Sequence, residues 1–239
     1  MTIYSGAPAA PHDCCACHDA GYVTMARPLK DGRRHEIAPC DRCAAARAQQ
    51  GAVTGKNIDP WYHSAHIPLR YHGVTFAMFS PKPDRAALGA ARDYARNWPP
   101  PQPFLSLVSA QKGNGKTMLA VATAYAAWNN NRVPARFWPV VELLARFRAT
   151  FDAGGEGAFA QLDAELRATP LLILDDLGAE KGTEWTRERL YALIDYRYRE
   201  MAPMIVTGNV PLDRIEERIA SRLLGGGVVD VLTGPDRRL

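Results

Sequence analysis

Between the apolar run 104–109 and an alanine-rich stretch that begins at Met118 stands the octapeptide Ala110-Gln111-Lys112-Gly113-Asn114-Gly115-Lys116-Thr117. A glycine-rich turn that joins a strand to a helix converges backbone N–H groups at the helix N-terminus and makes a cradle for an anion. Gly113 and Gly115 allow the tight turn, Asn114 lies between them, Lys116 reaches outer phosphates and Thr117 offers a hydroxyl to Mg²⁺. The segment departs from G-x-x-x-x-G-K-[ST] only at its first position, where Ala110 replaces glycine. A chain built around this loop is expected to be an α/β protein that holds the phosphates of ATP.

The rest of the chain agrees with that architecture. From residue 104 onward, short β-type runs at 104–109, 133–138, 171–175, 204–207 and 228–232 alternate with helical patterns at 117–130, 140–151, 158–168, 184–201 and 212–223. Such alternation predicts a five-stranded parallel sheet flanked by helices. A further helix is expected from Asp84 as N-cap to Trp98, stopped by Pro99-Pro100-Pro101. The expected domains are an N-terminal module over 1–55, a linker and lead-in helix over 56–100, and the nucleotide-binding domain over 101–239.

The run Leu171-Leu172-Ile173-Leu174-Asp175-Asp176 reads as a buried strand ending in two carboxylates. Beside a P-loop, Asp175 is expected to support Mg²⁺ together with Thr117, and Asp176 to orient or deprotonate an attacking water. After the fourth strand, Asn209 is placed to hydrogen-bond the γ-phosphate or that water; a turn residue in Gly-Asn-Val-Pro is the equally open reading.

All five cysteines lie in the first 43 residues. Cys14-x-x-Cys17 and Cys40-x-x-Cys43, 22 residues apart, make two knuckles that can close a tetrahedral Zn²⁺ site, with Cys15 a bystander and His18 or His35 able to replace one thiolate. Four thiolates fill the coordination sphere, so the zinc is expected to be structural. The N-terminus has neither the basic start nor the apolar stretch of a secretory signal, and no run is long enough to span a membrane, so a cytoplasmic protein is expected. The net charge is +4, and residues 82–148 hold ten Lys/Arg against three acidic side chains. Bound triphosphate and a nucleic-acid surface account for that excess equally well.

The ordered set Ile67-Pro68-Leu69-Arg70-Tyr71, the P-loop, Asp175-Asp176 followed by Leu177-Gly178-Ala179-Glu180-Lys181, Ile205-Val206-Thr207-Gly208-Asn209 and Arg218-Ile219-Ala220-Ser221-Arg222-Leu223 resembles the AAA+ helicase loaders typified by DnaC and DnaI, with IstB-type transposition helpers as kin. The resemblance implies that Gly115, Lys116 and Thr117 are Walker A, Asp175 and Asp176 Walker B, and Asn209 sensor 1. It further implies that Arg222 is a finger acting on a neighbouring subunit's nucleotide, hence self-association, and that Arg238 lies near the phosphates. On the residues alone, a helix-surface salt bridge to Glu216 or Glu217 is the preferred reading of Arg222.

Two departures bear on rate. Asp176 stands where many AAA+ enzymes carry glutamate, which suits slow hydrolysis, and after Leu239 no lid is expected, which suits loosely held nucleotide and a switch rather than a motor. The function implied is ATP-dependent loading of a replicative DNA helicase onto single-stranded DNA, with the N-terminal module docking the helicase, or touching DNA through Arg27, Lys30, Arg33 and Arg34, and with Arg146 and Arg148 as the candidate DNA contact of the ATPase domain. The alternatives are an IstB-like transposition helper and an ATP-sensing adaptor that does not hydrolyse.

Overall fold

The computed structural model describes residues 22–25, 36–39, 59–79, 85–178 and 183–230. Cys14, Cys17, Cys40, Cys43 and Arg238 lie outside these residues. Two units are present. In the first, β1 (Tyr22–Met25) and β2 (Glu36–Pro39) form an antiparallel pair in which Tyr22 faces Pro39 and Met25 faces Glu36.

The second unit is a three-layer α/β sandwich. Its sheet comprises β3 (Phe104–Val108), β4 (Ala135–Pro139), β5 (Leu171–Leu177), β6 (Met204–Gly208) and β7 (Gly227–Asp230), in the order β4-β5-β6-β3-β7 with every pairing parallel. A parallel sheet covered on both faces needs unbroken apolar strands. Phe104–Val108 and Met204–Gly208 are buried at every position, and so are Leu171–Leu174. The helices are α2 (Arg85–Arg96), α3 (Lys116–Asn131), α4 (Val140–Ala168), α5 (Glu184–Arg199) and α6 (Glu217–Gly226), preceded by the short α1 (Pro60–Ser64). Leu143, Phe147, Leu166, Leu190, Leu193, Ile194 and Leu223 close one face of the sheet, and each is 2% exposed or less. Side chains of this size contribute about 1.5–3 kcal/mol each by burial.

Two sequence expectations are corrected. The helices expected at 140–151 and 158–168 are one 29-residue helix, α4. Glycines there disfavour helix by about 1 kcal/mol each, but both halves are anchored in one core, by Leu143, Leu144 and Phe147 before the glycines and by Phe159, Leu162 and Leu166 after them. The helix expected over 212–223 is instead a 3-10 turn at Leu212–Arg214 followed by α6. Ile215 (ψ 148°) and Glu216 (ψ 129°) between them are extended and interrupt the helix, while Leu212 and Ile215 both pack against the core.

One buried cation fixes the lower end of the sandwich. Arg197 of α5 is fully buried. Its Nη1 donates to the carbonyls of Leu166 (2.8 Å) and Arg167 (3.3 Å), and Nη2 to those of Thr169 (2.9 Å) and Pro203 (2.5 Å). These are the open carbonyls at the end of α4 and the entrance to β6, which nothing inside the helix can satisfy. Burial pulls the guanidinium down to about 10, so it stays charged at neutral pH.

Replacing Arg197 by Met keeps roughly the same volume and strands the carbonyls of Leu166, Arg167 and Thr169, while Pro203 O retains the N–H of Leu172 at 3.3 Å. The expected loss is about 3 kcal/mol or more of unfolding free energy, read as a lower urea midpoint at unchanged slope. A change under about 0.5 kcal/mol, the size of an ordinary surface substitution, would show that the clamp carries no weight.

Candidate functional site

The parallel order brings the C-terminal ends of β5, β6 and β3 side by side, the edge at which open α/β sheets bind ligands. The loop from β3 to α3 lies there. Gly113 (φ 75°) and Gly115 (φ 99°) take left-handed conformations, and Gly115 caps the start of α3. Ala110 is not among the described residues with positive φ, so its methyl sits in a conformation any residue adopts and the missing glycine costs no strain. Ser109 staples the loop, its Oγ accepting from Gln111 N at 3.1 Å and from Asn114 Nδ2 at 3.2 Å. Lys116 is buried at 5% exposure, and its Nζ donates to Gln111 O at 2.6 Å and Asn114 Oδ1 at 2.9 Å. The loop thus holds its own ammonium over its own cradle, and Asn114 ties lysine to loop.

Opposite the lysine stand the carboxylates. Asp175 Oδ1 accepts from Thr117 Oγ1 at 2.8 Å and from Thr207 Oγ1 at 2.6 Å. Burial pushes the Asp175 carboxyl above the usual range, and these two hydroxyls oppose that push. Thr117 spends its proton on Asp175, which leaves hydroxyl lone pairs as donors for a cation. Asp176 is left-handed at φ 64°, a conformation aspartate tolerates better than most residues. Its backbone N–H is bound by Thr207 Oγ1 at 3.0 Å, and its Oδ1 accepts from Asn209 Nδ2.

These groups line a cavity of about 410 Å³ together with Gly113, Met118, Arg70 and Tyr71. Arg70 and Tyr71 arrive from the segment before the sheet, and the guanidinium of Arg70 lies 5.1 Å from the centre of the Tyr71 ring. That segment is pinned by α1. Asp59 caps the helix through Trp61 N at 2.9 Å, the buried Tyr62 stacks on Tyr125 of α3 and on His72, and Ala65 O accepts from Phe137 N of edge strand β4 at 2.8 Å. The shape and donor set fit a triphosphate with a divalent cation: a glycine cradle, a buried ammonium, a hydroxyl and paired carboxylates on facing walls.

Of the residues expected from sequence, Gly113, Asn114, Gly115, Lys116, Thr117, Asp175, Asp176 and Asn209 converge on this cavity. Asn209 bonds directly to Asp176. Arg222 does not line it. Its Nε donates to Asp195 Oδ1 at 2.7 Å, and its guanidinium lies 5.3 Å from the centre of the Tyr198 ring. The partner is therefore Asp195 rather than Glu216 or Glu217, and Glu216 pairs with Arg218 instead. Thr207, Arg70 and Tyr71 were not singled out as site residues in the sequence. Thr207 had a signal, a hydroxyl at the end of an otherwise apolar strand. Arg70 and Tyr71 had none of their own.

Comparison with known proteins gives the same reading. The family described as "IstB-like ATP binding protein" matches residues 105–234, more than half of the chain. The solved structure of the DnaC helicase loader is 27% identical, with a TM-score of 0.62 over 70% of this chain and 100% of that one. The structure of DnaI, 22% identical with a TM-score of 0.60 over 72% of this chain and 94% of that one, shares the fold. YqaM of Bacillus subtilis strain 168 is 30% identical over 121 residues, 47% of this chain and 37% of that protein. The chain spans less than half the length of the curated relatives it matches first. With a P-loop, paired strand-end carboxylates and a matched domain that contains them all, the chain belongs to the IstB-like ATP-binding protein family.

Proposed function

We propose that this protein is a Mg²⁺-dependent ATPase of slow turnover that loads a replicative DNA helicase onto single-stranded DNA. The observation that carries the ATPase part is the convergence of Lys116, Thr117, Asp175, Asp176 and Asn209 on one cavity. In this reading the loop amides and Lys116 hold the β- and γ-phosphates, and Thr117 and Asp175 hold Mg²⁺, which neutralises charge on the phosphates when bound. Asp176, aimed by Asn209, orients the attacking water. Its short side chain reaches less far than glutamate, which suits a timer better than a motor.

The loader part rests on the 27% identity to the DnaC helicase loader over the whole of that chain. The exposed Arg146 and Arg148 of α4 are the proposed DNA contact. Cys14, Cys17, Cys40 and Cys43 are proposed to hold one structural Zn²⁺ in the module that meets the helicase, on their spacing alone. Arg238 is proposed to lie near the phosphates on family likeness alone. A transposition helper is the second reading, favoured by the IstB-like family match itself; a non-hydrolysing ATP sensor is a third.

Arg222 is proposed to act in trans. At about one-third exposure it is accessible from outside, and a neighbour's γ-phosphate would have to replace Asp195 as its partner. Mixing Arg222→Ala with Lys116→Ala tests this, since the first keeps an intact nucleotide site and the second an intact finger. The mixture is expected to recover ATPase activity that neither variant shows alone, and no recovery at any ratio would remove the trans role.

Asp175→Asn is expected to abolish the Mg²⁺-dependent gain in nucleotide affinity while leaving Tm unchanged or raised by about 1–3 °C. The sign follows from its raised pKa: burial makes the ionised form of Asp175 costly in the folded state, so a neutral isostere removes a cost. A lower Tm would contradict that placement.

The loader reading requires ATPase activity stimulated several-fold by single-stranded DNA or by a replicative helicase, and recovery of the helicase by the full-length chain. Stimulation by transposase with duplex DNA, and by nothing else, would select the second reading. Binding of ATP without turnover under every condition would select the third.

A further inference from the structure

The ladder between β5 and β6 skips a step at the site. Ile173 pairs with Ile205 and Leu174 with Val206, but the next pair is Leu177 with Gly208. Two residues of β5, Asp175 and Asp176, therefore stand against Thr207 alone. A bulge of this kind re-aims side chains and leaves a backbone group without its ladder partner. Here the loose group is the N–H of Asp176, and Thr207 Oγ1 accepts it at 3.0 Å. The same hydroxyl gives its proton to Asp175 Oδ1 at 2.6 Å. One buried oxygen, on a residue 2% exposed, thus replaces a ladder bond and grips both acidic residues, one by its carboxylate and one by its backbone.

Two consequences follow from the geometry. Thr117 and Thr207 both address Oδ1 of Asp175, so the direction of that carboxylate is set from two sides, by the P-loop helix and by β6. The left-handed φ of Asp176 is held by its N–H bond to Thr207 on one side and by the carboxylate bond from Asn209 on the other. Residues 207 and 209 of one strand end thereby fix the second carboxylate at both its backbone and its head.

We propose that Thr207 is the positioning residue of this site, its hydroxyl setting the spacing and direction of Asp175 and Asp176. This rests on the Mg²⁺–nucleotide reading above. Thr207 acts through the carboxylates, so it governs the Mg²⁺-dependent part of nucleotide binding and the water-orienting step. Phosphate binding by the loop and Lys116 is independent of it. Valine has threonine's shape without the hydroxyl: it leaves the Asp176 N–H without an acceptor and puts a methyl against Asp175 Oδ1.

The test measures affinity for a fluorescent ATP analogue with Mg²⁺ and with EDTA, together with kcat, for wild type, Thr207→Val, Thr207→Ser, Thr207→Ala and Lys116→Ala. Thr207→Val is expected to keep the EDTA affinity within about twofold and to lose about 10–100-fold in Mg²⁺-dependent gain and kcat, the usual range for an outer partner of a metal ligand. Thr207→Ser is expected to restore both. If the valine variant does not fold, the Ser and Ala variants, which differ by the hydroxyl alone, carry the same comparison. Equal losses with Mg²⁺ and with EDTA would mean general distortion and overturn the proposal. So would a hydroxyl-free variant within about twofold of wild type, while Lys116→Ala still abolishes binding. Nucleotide binding that survives Lys116→Ala would instead bring down the underlying reading, and this proposal with it.

Discussion

Parallel pairing of β5, β6 and β3 forces three segments far apart in sequence to end at one edge of one sheet, and the chemistry of this protein depends on that coincidence. The P-loop follows β3, the carboxylates close β5 and Thr207 with Asn209 close β6. None of the three makes a site alone. A glycine loop without facing carboxylates binds an anion at a helix N-terminus; paired carboxylates without a loop make a strand-ending turn. Their juxtaposition supplies opposite charges on facing walls, with the hydroxyls of Thr117 and Thr207 between them. Burial raises the cost of the Asp175 charge, and those hydroxyls are what keep it available.

The sheet itself was legible because its strands are short apolar runs separated by helical patterns, and buried parallel strands have no other way to look. Gly113 to Thr117 and the Asp175-Asp176 pair were legible because their chemistry is local, a loop and a strand end. What escaped the sequence is what acts across distance. Arg197 gave no sign of being buried, because its four acceptors come from the last turn and C-cap of α4 and from the entrance to β6. Tyr71 and Arg70 line the cavity in a segment held by the stack of Tyr62 on Tyr125 and His72 and by the bond from Phe137 N to Ala65 O, contacts made across distant parts of the chain. The glycines near residue 155 read locally as a break, and the core on either side overrides them.

Arg222 shows how two scales meet. Within one chain it is a satisfied ion pair: Asp195 is held below its ordinary range chiefly by the Arg222 hydrogen bond. An ion pair this accessible contributes little to stability, so exchanging Asp195 for a phosphate on a neighbour is a modest rearrangement. The fold is shared with DnaC and DnaI, and in this chain β6 and the residue after it grip both members of the acidic pair.

Whether the edge formed by β3, β5 and β6 is one Mg²⁺–nucleotide site is decided by a crystal structure with Mn²⁺ and a non-hydrolysable ATP analogue, read by the anomalous signal of the metal. A single site puts the metal peak between Thr117 Oγ1 and the Asp175 carboxylate, with the β- and γ-phosphates in the Gly113–Thr117 loop. A metal bound elsewhere, or phosphates outside that loop, would contradict it.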